Sequence, residues 1–245
     1  MRTLKPILYL CVALCLSGCG RRYRITEHTV SYARIDSVQQ GDSRITGIIL
    51  PYKQMLDSQM NVVAGSLLTD LKKARPEGNL GNWMADVARA EATRFLQKPV
   101  DIAILNHGGI RIPELRKGPV KVGQLFELMP FENEIIVLEL EGETLYLIAE
   151  LIAKKGGDPI SGMAIRVGDD KKVHCTVSGL PLDTSKTYLV ATTDYLYNGG
   201  DDYGMLRAAV KTWPMNRKLR DLLIESFRST PQVGYPETEG RIIIE

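Results

Sequence analysis

Histidine, cysteine and net charge are the scarce quantities in this chain of 245 residues. Its three histidines (His28, His107, His174) stand at least 67 positions apart, so a zinc finger is excluded and any metal site would rest on carboxylates and distant partners. Lys and Arg number 31 against 29 Asp and Glu, a formal charge of +2 that is far from the basic excess used to neutralise nucleic-acid phosphates. Nucleic acid therefore drops out as a partner. Repeats of fixed period, low-complexity tracts and, after residue 50, Pro/Ser-rich linkers are also missing. What is present is a chain 44% hydrophobic and 24% charged, enough apolar side chain to bury a sizeable core and to argue against disorder. One compact domain is the economical reading.

The N-terminus reads as a leader. Arg2 and Lys5 precede an apolar run from Ile7 to Leu16 that is too short to span a bilayer core of about 30 Å. The run ends in Leu16-Ser17-Gly18-Cys19, which resembles the bacterial lipobox, in which the cysteine is acylated and becomes the first mature residue. Residues 1–18 are expected to be a lipoprotein signal peptide, Cys19 the lipidation site, and 19–41 a tether to a domain over 42–245. Such a protein would sit in the bacterial cell envelope, held to a membrane by lipid and facing the periplasm. Cleavage would leave 227 residues with 29 charges of each sign, so long-range steering would not bring partners in. Cys11 and Cys15 would leave with the leader and Cys19 would carry lipid, so Cys175 would remain as the sole thiol, with no partner for a disulfide.

Strand and helix patterns interleave along the mature chain. A short strand is suggested at Tyr32 to Asp36. Asp42 can cap a helix bearing Ile45, Ile48, Ile49, Tyr52 and Leu56, kinked at Pro51. Leu80, Trp83, Met84, Val87, Ala88 and Phe95 mark one face of a second helix, from about Asn79 to Gln97 and closed by Pro99. A buried strand at Val100 to Leu105 runs into a glycine loop, and a further strand (Glu134 to Leu140) leads through Glu141-Gly142 to a helix ending near Gly156-Gly157. Strands at Met163 to Val167, Val173 to Ser178, Thr187 to Thr193 and Arg241 to Ile244, with a helix from about Asn216 to Arg228, complete the pattern. The class is α/β or α+β.

Four loop segments carry residues that a packed core does not need. Arg75 to Asn82 enters the second helix, where free N–H groups favour an anion; an N-cap at Asn79 after a tight turn is the simpler explanation. Asn106-His107-Gly108-Gly109-Ile110-Arg111 follows a buried strand, the place where ligands collect in open α/β sheets, and paired glycines admit a ligand to the backbone. Pro130-Phe131-Glu132-Asn133 puts a ring in a turn, for contact or merely folded back on the core. In Thr193 to Tyr203, rings flank Gly199-Gly200-Asp201-Asp202, which suits a stacked flat ring and a hydrogen-bonded sugar diol, but also an ordinary glycine turn or a weak calcium loop. Together they offer a sandwich for a base between Phe131 and Tyr195, an amide (Asn106) for a ring nitrogen, a carboxylate (Asp201) for ribose hydroxyls and a cation (Arg111) for phosphate.

These segments in this order, with Pro51-Tyr52-Lys53, EGNLGNWMAD, NHGGIR, PFEN and TDYLYNGGDDY, resemble the C-terminal domain of the 5'-nucleotidase family, which includes UDP-sugar hydrolases and related periplasmic nucleotide phosphatases. The similarity runs from about residue 45 to the end and implies a layered α-β-β-α domain whose loops bind the nucleoside. By position it implies that Phe131 and Tyr195 stack on the base and Asn106 contacts it, that Gly108, Gly109, Gly199 and Gly200 shape the loops, that Arg111 faces phosphate, and that Asp201 takes the ribose. A second family arginine falls in the stretch Lys72-Lys73-Ala74-Arg75, with Arg75 the candidate. Tyr replaces the commoner Phe at 195, and Asp202 stands where the family usually has glycine. In the full-length family a preceding metallophosphatase domain binds two divalent metals through Asp-x-His and Gly-Asn-His-Glu-type signatures, which this sequence lacks. The implied function is the substrate-binding half of a split nucleotidase, without catalytic or metal-binding residues of its own and completed by a separate metallophosphatase chain that carries the divalent metals. The alternative is a stand-alone nucleoside- or nucleotide-binding lipoprotein.

Overall fold

The computed structural model describes residues 27–32 and 42–245. The expected leader and Cys19 lie outside the described residues, as does the expected strand from Tyr32 onward except for Tyr32 itself, which is in no regular element. The chain divides into two units, Met1–Gly47 and Ile48–Glu245. Helix α1 (Ser43–Met60) begins in the first and runs into the second. Asp42 caps it as expected, its Oδ1 accepting from Arg44 N at 2.8 Å. Pro51 lies inside α1, and no residue of the helix is buried. Among the described residues no helix is long and apolar enough to cross a membrane.

The larger unit is mixed α/β, built from four sheets. A five-stranded sheet has the order β12 (Lys211–Lys218), β6 (Glu134–Glu141), β11 (Thr187–Thr193), β3 (Ile102–Ile104), β7 (Ile160–Ser161). β3 and β11 run parallel, whereas β6 lies antiparallel to β11. Side chains alternate across it because successive residues of a strand point to opposite faces. In β6, Ile135 and Val137 enter one core while Ile136, Leu138 and Leu140 enter another.

The first core is closed by helices α2 (Asn79–Leu96), α3 (Val122–Leu128) and α6 (Leu219–Ser229), where Trp83 and Phe227 meet with ring centroids 5.2 Å apart. A three-stranded sheet, β13 (Gln232–Val233), β1 (Val63–Leu67), β5 (Gly118–Lys121), joins this core through Leu67, Val120 and Val233. The second core takes Leu145, Ile148 and Ile152 from α4 (Gly142–Lys154). It is completed by a four-stranded sheet, β10 (Leu180–Pro181), β9 (Val173–Val177), β8 (Met163–Val167), β14 (Ile242–Ile244). Cys175 of β9 lies in this core, where burial pushes its thiol up to about 12. The fourth sheet pairs β2 (Leu71–Lys72) with β4 (Glu114–Leu115).

Three local readings change. Phe95, expected on the apolar face of α2, is exposed in the last turn of that helix. The helix expected from Asn216 begins at Leu219, because the preceding residues form edge strand β12, where Pro214 is tolerated for want of a second neighbour. Asn79 does not cap α2: Gly78 holds that position, and the Asn79 amide instead bridges Lys72 N (2.6 Å) and Asp70 O (3.0 Å).

Candidate functional site

Strand direction decides where the loops meet. β3 and the parallel β11 end at the same edge of the five-stranded sheet, and the antiparallel β6 begins there. The turn after β3 (Asn106 to Arg111), the turn before β6 (Pro130 to Asn133) and the segment after β11 are thereby gathered at one rim. The last of these consists of helix α5 (Asp194–Tyr197) and the turn Gly199 to Asp202, with the Thr193 side chain accepting from Leu196 N to cap α5. Asp194 of α5 also ties the loops together, accepting from Glu134 N at 3.0 Å.

The rim holds a cleft of about 240 Å³ lined by Asn106, Gly108, Gly109, Arg111, Phe131, Asn133, Tyr195 and Asp201. Seven of these eight are the residues the sequence singles out, and Asn133 is the addition. Phe131 and Tyr195 remain 41% and 42% exposed, so neither ring is folded into a core. Among the described residues these two rings form no contact pair, and they line the cleft from separate turns. Arg111 lies 5.7 Å from the Phe131 ring centroid, a cation over a π face.

Asp201 is the most heavily engaged group. Its Oδ2 accepts from Asn106 Nδ2 at 2.8 Å and its Oδ1 from the Tyr195 hydroxyl at 2.9 Å. That second bond raises the Tyr195 phenol above its usual range. A Cβ at Gly200 would stand 2.4 Å from the Tyr195 ring, so a larger residue there would displace that ring from its place in the cleft. Gly199 takes φ +95, and Asp201 and Asp202 take φ +51 and +68. Asp202 thus adopts a conformation that is free to glycine and open to Asp as one of the few other residues tolerating it.

Arg75 is not among the cleft residues. Its guanidinium lies 4.0 Å from the buried Asp158 carboxylate, and the Arg75 stretch, with Lys72 and Lys73, lines a neighbouring cleft of about 560 Å³. Lys73 turns toward the Asn106 to Arg111 loop, donating to Ile110 O at 2.8 Å. Burial and the charges of Arg111 and Arg75 pull its ammonium below the usual lysine value. Its own burial and the charges of Lys73 and Arg75 push His107 down to about 4, so the imidazole is neutral at ordinary pH. Beside the entry to α2 stands a carboxylate of the chain's own, Glu77, but it is held by the Asn82 side chain (Nδ2, 2.7 Å) and by the C-terminal segment, accepting from Glu239 N (2.7 Å) and Arg241 N (2.8 Å).

Two supporting groups escape sequence reading. Arg220 of α6, 5% exposed, reaches under the Phe131 turn to the carbonyls of Met129 (3.3 Å) and Phe131 (3.4 Å) and to Glu132 Oε1 (2.6 Å). Lys218 and Arg220 together hold the Glu132 carboxyl down to about 2. Asp158, 3% exposed, accepts from His107 N and from the Tyr203 hydroxyl, both at 2.8 Å. Nothing in a Gly-Gly-Asp-Pro string marks its aspartate as buried. Among the described residues no group of three or more His, Cys, Asp or Glu is placed to hold a metal ion.

Residues 60–208 match the family model described as 5'-nucleotidase, C-terminal domain. The chain is 27% identical over 192 residues to an apyrase of Tabanus yao, aligning 68% of this chain with 34% of that protein. It is 28% identical over 199 residues to a 5'-nucleotidase of Diplobatis ommata, aligning 68% of this chain with 33% of that one. Among solved structures, a 5'-nucleotidase precursor from Thermus thermophilus superposes with a TM-score of 0.72 at 26% identity, covering 83% of this chain and 43% of that one. The chain spans about a third of the length of these curated relatives.

Proposed function

This chain belongs to the 5'-nucleotidase family, matching its C-terminal domain, and from that membership we propose that it is the substrate-binding half of a split nucleotidase. The nucleoside is held in the cleft at the rim of the five-stranded sheet. The carrying observation is the convergence of Asn106, Arg111, Phe131, Tyr195 and Asp201 from three separate loops on that one cleft. In this reading the base stacks against Phe131 and Tyr195, with Asn106 at its edge, since stacking accepts any base. Asp201 accepts from the ribose hydroxyls: an ionised carboxylate has about four acceptor positions, and Asn106 and Tyr195 occupy one each. Arg111 faces the phosphate, with Lys73 and Arg75 behind it as further positive charge.

Hydrolysis belongs, on this proposal, to a metallophosphatase on a separate chain, whose two divalent metals activate the attacking water. The reading is supported by the match of residues 60–208 to the C-terminal domain of the family and, among the described residues, by a cleft lined with binding side chains. Acylation at Cys19 would hold the protein to the envelope membrane, facing the periplasm.

Titration calorimetry with adenosine, AMP and UDP-glucose tests the binding, and release of phosphate from AMP with and without an added metallophosphatase chain tests the split. Binding without turnover, and metal-dependent turnover on mixing, are expected. Phosphate release by the metal-stripped chain alone would sink the split arrangement. Binding that no metallophosphatase converts to turnover would favour a stand-alone binding protein.

A further inference from the structure

Asp201 and Asp202 are consecutive non-glycine residues in the left-handed region, so the turn that presents the Asp201 carboxylate needs outside support. Asn106 and Tyr195 hold the side chain from within the cleft. The backbone is held from behind. Lys155, the residue that follows α4, donates from Nζ to Asp201 O at 2.9 Å. Its ammonium lies 3.3 Å from Asp158 Oδ2 and 4.8 Å from the centroid of the Tyr203 ring.

Asp158 is the common anchor. Buried to 3% exposure, it sits on Lys155 with one oxygen, which also accepts from the Tyr203 hydroxyl, and receives His107 N on the other. One carboxylate therefore fixes the start of the turn that carries Asn106 and the lysine that fixes Asp201. Burial beside Asp158 drives the Tyr203 phenol well above its usual range, which keeps it protonated and donating. None of Lys155, Asp158 and Tyr203 lines the ligand cleft.

We propose that Lys155, seated on Asp158, is a positioning residue that holds Asp201 against Asn106 and Tyr195 and thereby sets recognition of a vicinal diol in the cleft. The diol part rests on the nucleoside reading above; the positioning part does not.

Lys155→Met, which keeps the stem and removes the ammonium, separates the two. Tyr195 is the reporter: with tyrosine ring carbons labelled, its ionisation is followed by NMR and assigned by the signal lost in Tyr195→Phe. Losing a nearby cation would by itself raise the phenol's pKa, whereas losing the Asp201 bond lowers it. A fall toward the ordinary tyrosine value in Lys155→Met is expected, and an unchanged or higher value overturns the positioning role. Calorimetry with adenosine and 2',3'-dideoxyadenosine reads the diol. The preference for adenosine is expected to drop about tenfold in Lys155→Met, which corresponds to one step of about 1.4 kcal/mol. A fall in the tyrosine titration with an unchanged preference overturns the link to the diol. If the wild-type chain binds neither compound, the nucleoside reading and the diol role fail together, and the tyrosine titration still decides the positioning. Should Lys155→Met not fold, Lys155→Arg, which keeps the charge but moves the donors, is read by the same titration.

Discussion

Phe131 lines the cleft from an exposed turn. Its turn is pinned by Arg220, and the ring leans toward Arg111 with about two-fifths of its surface open. On the proposed function, Phe131→Ala should weaken adenosine binding by about 1–3 kcal/mol, and calorimetry showing an unchanged Kd would remove the stacking role. His107 gives a pH signature. Its pKa in the folded chain is about 4 against 6.5 for an ordinary histidine, so the unfolded chain binds its proton more readily. The stability it contributes is complete above pH 6.5 and is lost as pH falls toward 4. Denaturant melts of His107→Asn should lose part of the acid-side decline seen for the wild type between those limits; superimposable pH profiles would contradict the assignment.

At the level of elements, close packing leaves specific positions intolerant. A Cβ on Gly65 of β1 would stand 2.5 Å from the Phe227 ring of α6, inside the first core. Gly65→Ala should cost about 1–3 kcal/mol, measured as a lower urea midpoint with an unchanged slope. The long buried elements are the ones legible beforehand. β6 and β11 carry long runs of β-branched and apolar residues, and α2 and α4 show a clear apolar face, so their existence and type follow from pattern. What escapes is decided by tertiary contacts. β2, β7, β10 and β13 are two residues long and exist only because a neighbour pairs with them. β12 contains a proline and is mostly not buried, so no periodicity announces it. The cleft residues are legible because glycine pairs, rings and an aspartate cluster in turns. Arg220, Lys155 and Asp158 are not, because their roles depend on which distant loops they reach.

For the molecule as a whole, the five-stranded sheet is a partition with a core on each side, and β6, β3 and β11 supply side chains to both. Neither core can be dismantled while the other stays intact. The larger unit, Ile48–Glu245, is therefore expected to melt in one calorimetric transition, with van't Hoff and calorimetric enthalpies in agreement, and two resolved peaks would refute the shared partition. The cleft lies at the rim of that same partition, where three of its strands end or begin. Damage buried deep on either side, however remote from the rim, thus reaches the cleft through the folded population instead of through the shape of its lining. On the proposed function, a saturating nucleoside should rescue such lesions in equal measure, raising the free energy of unfolding of core variants as much as that of the parent protein.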